Sequence, residues 1–153
     1  MKEELIDADF NGCVSVRKNG RHILNKAFGY ADLANKIPNQ LTTRFATASA
    51  GAFTTVIDIE KFWDALFSYK LLSAKMTGEM LKVHSGNEEE GYYGYGIWLR
   101  KEKDDTYSPY FQGCDPGGSF ITWYHPAENK NITLVSNLGC NVWKLLRNLK
   151  DTI

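Results

Sequence analysis

The sequence predicts an α+β domain: an antiparallel sheet of five to six strands with helices packed on it. Three observations carry this expectation. Strand-like runs, alternating or rich in aromatic and β-branched residues, recur at 12–18, 21–27, 92–99, 106–112, 119–124 and 131–137. Helical apolar periodicity appears at 57–69, 73–82 and 141–149. The strands are grouped apart from the helices instead of alternating with them.

Gly12-Cys-Val-Ser-Val-Arg-Lys18 alternates small or apolar residues with polar ones, and Arg21 to Ala27 returns as its partner. Asn19-Gly20 between them is a strong hairpin signal, because both residues tolerate positive φ. Residues 28–44 carry Gly29, Pro38 and several Asn and Asp, and read as loop. Ser49 through Thr55 either starts a helix or stays loop. Ile57 to Tyr69 is an amphipathic helix with Ile59, Phe62, Trp63, Leu66 and Phe67 on its apolar face, capped by Thr55 or Asp58. A second helix spans Ser73 to Lys82, with Met76, Met80 and Leu81 as a core stripe. Gly86 to Gly91, with Glu88-Glu89-Glu90, is a solvated loop. Tyr92 to Leu99 reads as one aromatic strand. Lys101 to Asp105 is a charged turn, and Pro116-Gly117-Gly118 and 125–129 separate the last three strands. Asn141 to Leu149 closes the chain as a helix with Val142, Leu145, Leu146 and Leu149 on one face.

At 153 residues one domain is expected, long enough for a normal core. Lys plus Arg and Asp plus Glu balance at 18 each, which argues against nucleic-acid binding. No run of 18 apolar residues occurs, so no membrane span is expected. The first ten residues are acidic and lack a signal-peptide core, so the expected location is cytoplasmic. Cys13, Cys114 and Cys140 are far apart and odd in number; they read as free, half-buried thiols. His22, His84 and His125 sit at no ligand spacing, and no metal or other cofactor is expected.

The stretch richest in chemical meaning is Phe45-Ala-Thr-Ala-Ser49-Ala50-Gly51-Ala52. A serine hydroxyl needs a group to take its proton. One solution places a lysine three residues on, one helical turn away. Here that position is Ala52, which accepts no proton.

Together with Asn11 to Gly20, Lys26 to Asp32, Asn35 to Asn39 and Thr43 to Ser49, the chain from Phe53 onward resembles the serine β-lactamase and penicillin-binding-protein-like family. The resemblance is to its class C type, which includes many esterases and D,D-peptidases. It implies a reduced β-lactamase-like domain over residues 1–153. Residues 1–51 are similar to the family's N-terminal part and 52–153 to its C-terminal part. The helical insertion between these parts, with its Tyr-x-Asn motif, is missing, as if by an internal deletion, natural or engineered. The third family motif, Lys-Thr-Gly or His-Thr-Gly, aligns with Phe111-Gln112-Gly113, where only the glycine is kept. By position the oxyanion-hole amides would be those of Ser49 and Cys114.

The resemblance thus implies Ser49 as a relic nucleophile in a protein without turnover. The alternatives are residual acyl transfer through Ser49 on a β-lactam, ester or D-alanyl peptide, with rescue by Lys61, Lys70, Lys75 or His84, and a non-catalytic binding module. Loss of the helical part would uncover the sheet and its aromatic strand. A homodimer through that face, or a weakly held small acyl or β-lactam ligand, are the expected partners.

Overall fold

Eight strands join in one wholly antiparallel sheet in the computed structural model, which describes residues 2–41, 45–47, 52–115, 117–138 and 141–152. The first part of the chain supplies α1 (Lys2–Asp7), β1 (Gly12–Lys18), β2 (Arg21–Phe28), the short pair β3 (Tyr30–Asp32) and β4 (Ile37–Pro38), and the pair β5 (Phe45–Thr47) and β6 (Ala52–Thr54). Next come α2 (Val56–Phe67) and α3 (Ala74–Met80), then β7 (Ser85–Asn87), β8 (Gly91–Tyr93) and β9 (Trp98–Lys101). β10 (Tyr107–Asp115), β11 (Gly118–His125), β12 (Lys130–Ser136) and α4 (Val142–Thr152) complete it. The sheet order is β2-β1-β12-β11-β10-β9-β8-β7.

The α+β class stands, but the sheet has eight strands where five to six were expected. The difference lies at one edge. The segment expected as an acidic loop contributes β7, which pairs with β8. The aromatic run is broken between β8 and β9, because Gly94 sits where a Cβ would lie 2.2 Å from the Met80 carbonyl oxygen. Gly96, at φ +73°, then turns the chain in a conformation that side chains disfavour. At the other edge, Asn19 (φ 51°) and Gly20 (φ 74°) form the expected tight turn. The segment 28–44 is not all loop, since β3 and β4 pair within it.

Alternation along the strands builds two cores. One face carries Val14, Val16, Ile121, Trp123, Ile132 and Leu134, covered by Leu5 of α1 and by Val142, Leu145, Leu146 and Leu149 of α4. The other carries Cys13, Leu99, Phe120, Tyr124 and Val135 beneath Val56, Ile59, Trp63 and Leu66 of α2. The three expected helices start where the sequence places them, whereas α1 was not expected. Thr55 caps α2 by accepting from the Asp58 amide, Ser73 caps α3 by accepting from Met76, and the Asn141 side chain accepts from the Lys144 amide. α3 departs from expectation. It stops at Met80, its buried residue is Thr77, and Met76 is 51% exposed. Only Met80 and Leu81 of the expected stripe reach the core.

Helices on both faces also mean that the central strands are not left open. Ile97 and Leu99 are buried, whereas Tyr95, between the two glycines, is exposed. Nothing among the described residues supports the expected homodimer face.

A buried polar chain ties α2 to the sheet centre. Trp63 Nε1 donates to Thr122 Oγ1 at 2.8 Å; that hydroxyl lies 2.8 Å from Thr133 Oγ1, and Asn131 Nδ2 donates to the Trp123 carbonyl. Truncating Trp63 removes its packing and leaves this chain one donor short. We therefore expect Trp63→Ala to cost about 3–5 kcal/mol in urea unfolding.

Candidate functional site

β5 and β6 pair in register, Phe45 with Thr54, Ala46 with Phe53 and Thr47 with Ala52. Ser49, Ala50 and Gly51 lie outside the described residues, so the expected nucleophile and its amide are not placed. Its neighbourhood is. Position 52 belongs to a strand, so the expectation of a helix start or a loop over Ser49 to Thr55 is corrected at residues 52–54. A helix begins only at Val56, one residue after β6 ends. A Ser-x-x-Lys pair shares a helix face by the spacing of one turn, and a strand position at 52 does not supply that spacing.

β5 lies against β10 and β11, so the stretches that the resemblance aligns with the first and third motifs are neighbours. Phe111 and Gln112, adjacent on β10, point to opposite sides of the sheet. Phe111 packs edge-on against Phe62 at 5.6 Å between ring centroids and lies 5.3 Å from Trp63 and 5.6 Å from Phe120. Gln112 faces α4 and accepts a 2.6 Å hydrogen bond from Trp143 Nε1. Gly113 stands opposite Phe120, and the Cys114 side chain is exposed. The position at which the family resemblance would put a cation is thus filled by an aromatic ring built into the α2 layer.

The proposed substitute bases are exposed or have partners of their own. Lys61 is exposed and bonds Asp58, while Lys70 and Lys75 are exposed positions. His84 stacks on Tyr95, ring centroids 3.8 Å apart, with Nε2 2.8 Å from the Glu79 carbonyl oxygen. His125 is buried and accepts from the Glu128 amide. The described thiols are not half-buried as expected. Cys13 is fully buried, donates to the Gln40 carbonyl, and is pushed up to about 12 by that burial, whereas Cys114 is exposed. Cys140 lies outside the described residues. Among the described residues no cluster of three His, Cys, Asp or Glu forms a metal cage.

One constellation was not foreseen. Glu60, on the apolar face of α2, is buried and accepts from the Ser15 hydroxyl, and both its oxygens lie 2.9 Å from His22 Nε2. Serine, histidine and glutamate are together, but the carboxylate is in the middle. No imidazole reaches the hydroxyl, and Ser15 is wholly buried, so this is a polar lock between β1, β2 and α2 and not a nucleophile. The signal in the sequence was a glutamate inside an apolar helix stripe.

No family model matches the chain, and no curated protein matches it. Solved structures do. A penicillin-binding protein from Bacillus halodurans superposes with TM-score 0.63 at 24% identity, over 83% of this chain and 40% of that one. FmtA from Staphylococcus aureus gives TM-score 0.72 at 14% identity, over 92% of this chain and 83% of that one. An octameric penicillin-binding protein homologue from Pyrococcus abyssi gives 0.52 at 18%, over 90% of this chain and 29% of that one. The chain thus spans well under half of the Bacillus and Pyrococcus proteins. At these identities the likeness is one of fold, and the fold is of the penicillin-binding-protein and β-lactamase type. Among the described residues no helix is long and apolar enough to cross a membrane.

Two measurements check this geometry. Phe111→Lys places an ammonium among aromatic rings and should lower stability by about 3 kcal/mol or more in urea unfolding. In a Cys140→Ser background, Ellman's reagent should titrate the exposed Cys114 in the native protein and reach Cys13 only after denaturant is added.

Proposed function

We propose that this chain is a catalytically silent relative of the class C serine β-lactamases and penicillin-binding proteins, descended by internal deletion between residues 51 and 52. The fold likeness supports the relationship. The observation that carries the silence is the replacement of both proton-handling positions. Ala52 stands in strand β6, and Phe111 is packed against Phe62, Trp63 and Phe120.

A serine acyl-transfer site needs a base at the hydroxyl and donors aimed at the developing oxyanion. In this reading Ser49 keeps the hydroxyl, and the amides of Ser49 and Cys114 are the remnant of the oxyanion hole. No neighbour takes the proton. Removing one member of such a unit typically lowers turnover by about 10⁴- to 10⁶-fold, and further losses within the unit need not add. The pairing of β5 with β6 supports a clean junction: strands from either side of it pair in register, and β6 leads through Thr55 directly into α2.

Incubation with a fluorescent penicillin and with p-nitrophenyl butyrate, read by intact mass, tests the proposal. No acyl adduct is expected on the native chain. Ala52→Lys should remain equally unreactive, because the added amine occupies a strand position. An adduct on the native chain that disappears in Ser49→Ala would overturn the silent reading and establish residual acyl transfer.

A further inference from the structure

A concavity lies at the end of the sheet remote from the start of α2. The distance follows from register. α2 begins beside β6 and runs along β1, with Glu60 bonding Ser15 and Asp64 pairing with Arg17. Arg17 is opposite Asn131, and Lys130 is opposite His125. The Arg17–Lys130–His125 end is thus the end remote from the start of α2. There, on the face covered by α4, the ends of β9, β11, β12 and α4 surround a cleft of about 630 Å³.

The cleft has an unusual charge balance. Its acids are largely spoken for. Glu102 accepts from Lys150 at 2.8 Å and from Trp123 Nε1 at 3.0 Å, Glu128 pairs with Lys18 at 3.0 Å, and Asp104 accepts from Thr106. Of its cations, Lys101 is held by Asp105 at 3.0 Å and Lys150 by Glu102, but three others are less well matched. The side chains of Arg100 on β9 and Arg147 on α4 make no hydrogen bond or ion pair with a described residue, and both also line the adjoining cleft of about 470 Å³, which Glu88, Glu89 and Glu90 border as well. Lys130 is the most informative. Its side chain is only 5% exposed, yet its ammonium has one 3.5 Å hydrogen bond, to the Lys150 carbonyl, and a 3.8 Å approach to Glu128. Its Nζ also lies 5.7 Å from the centre of the Trp123 ring, so its partners are long or weak; an ammonium has three protons to place, and burying one with weak partners is costly. Burial accordingly lowers the pKa of Lys130, and an anion in the cleft would offset that cost.

We propose that this cleft binds a phosphorylated ligand, with Lys130 as the buried point charge and Arg100 and Arg147 as the two guanidinium forks. Guanidinium pairs match phosphate oxygens bidentately, and a buried ammonium adds charge without geometric demand. The volume exceeds that of a single phosphate and suits an organic phosphate or a lipid headgroup. The site is independent of Ser49 and of the silent-enzyme reading; either stands without the other.

The test uses inorganic pyrophosphate, with citrate at matched ionic strength as the carboxylate control, and phosphatidylglycerol vesicles against phosphatidylcholine vesicles. Binding is read by calorimetry and co-sedimentation for the native chain, for the double variant Arg100→Gln/Arg147→Gln, and for Lys130→Met. Thermal melts verify that each variant folds; the arginine pair, lacking partners, should fold normally even if Lys130→Met does not. We expect pyrophosphate to bind more tightly than citrate and the arginine double variant to lose at least tenfold in affinity. Binding to phosphatidylglycerol vesicles alone, also lost in that variant, supports the same phosphate chemistry on a headgroup. Absence of both interactions, a preference for citrate, or affinity unchanged in the double variant overturns the proposal.

Discussion

Strands β11 and β12 have almost no face left to water: β12 is buried from Lys130 to Ser136 and β11 from Ser119 to His125. Every side chain there must be apolar or matched to a polar partner. That constraint explains both the apolar layers and the polar chain of Trp63, Thr122, Thr133 and Asn131. It also fixes where α2 can lie, because the indole N–H must reach Thr122 while the ring packs on Tyr124, 5.4 Å between centroids. The Glu60–Ser15–His22 lock then holds the middle of α2 to β1 and β2 by the same logic of buried polar matching.

The same layer bears on the chemistry. Phe62, Trp63, Phe67, Phe111, Phe120 and Tyr124 form a continuous aromatic mass under α2. Aromatic pairs add roughly 0.5–1.5 kcal/mol each beyond area burial. A cation at position 111 would forfeit part of this and desolvate its own charge. Position 111 is thus committed to the core. Charge is instead gathered at the other end of the sheet, where β9, β12 and α4 bring their basic residues to one cleft.

Much of the fold was readable along the chain because its signals are local. Asn19-Gly20 needs only positive φ, Thr55, Ser73 and Asn141 need only the next turn of helix, and the apolar stripe of α4 repeats regularly. The misses have physical causes as well. α1 is a six-residue acidic helix whose one deeply buried anchor, Leu5, finds its partners on α4 more than 130 residues away. The break in the aromatic strand depends on the Met80 carbonyl meeting Gly94, a contact between distant segments. β7 was hidden by the glutamates that follow it. The lack of a proton acceptor at Ala52, Phe111 and Gln112 was legible in the sequence, but the aromatic packing of Phe111 was not. The Lys130 cleft was invisible because its cations come from three separate elements and converge only in space.

One feature of the sheet order governs how the molecule must come into being. β1 sits between β2 and β12, so Gly12 through Lys18 pair on one side with a strand a few residues away and on the other with residues 130–136. While the polypeptide emerges from the ribosome, the β1–β2 hairpin forms early but keeps one bare edge until the final quarter of the chain is made. Such long-separation closure is slow and leaves an unpaired strand available to neighbours. Maturation of this protein in the cell should accordingly depend on shielding that edge during synthesis, and truncation before residue 130 should yield aggregation-prone chains.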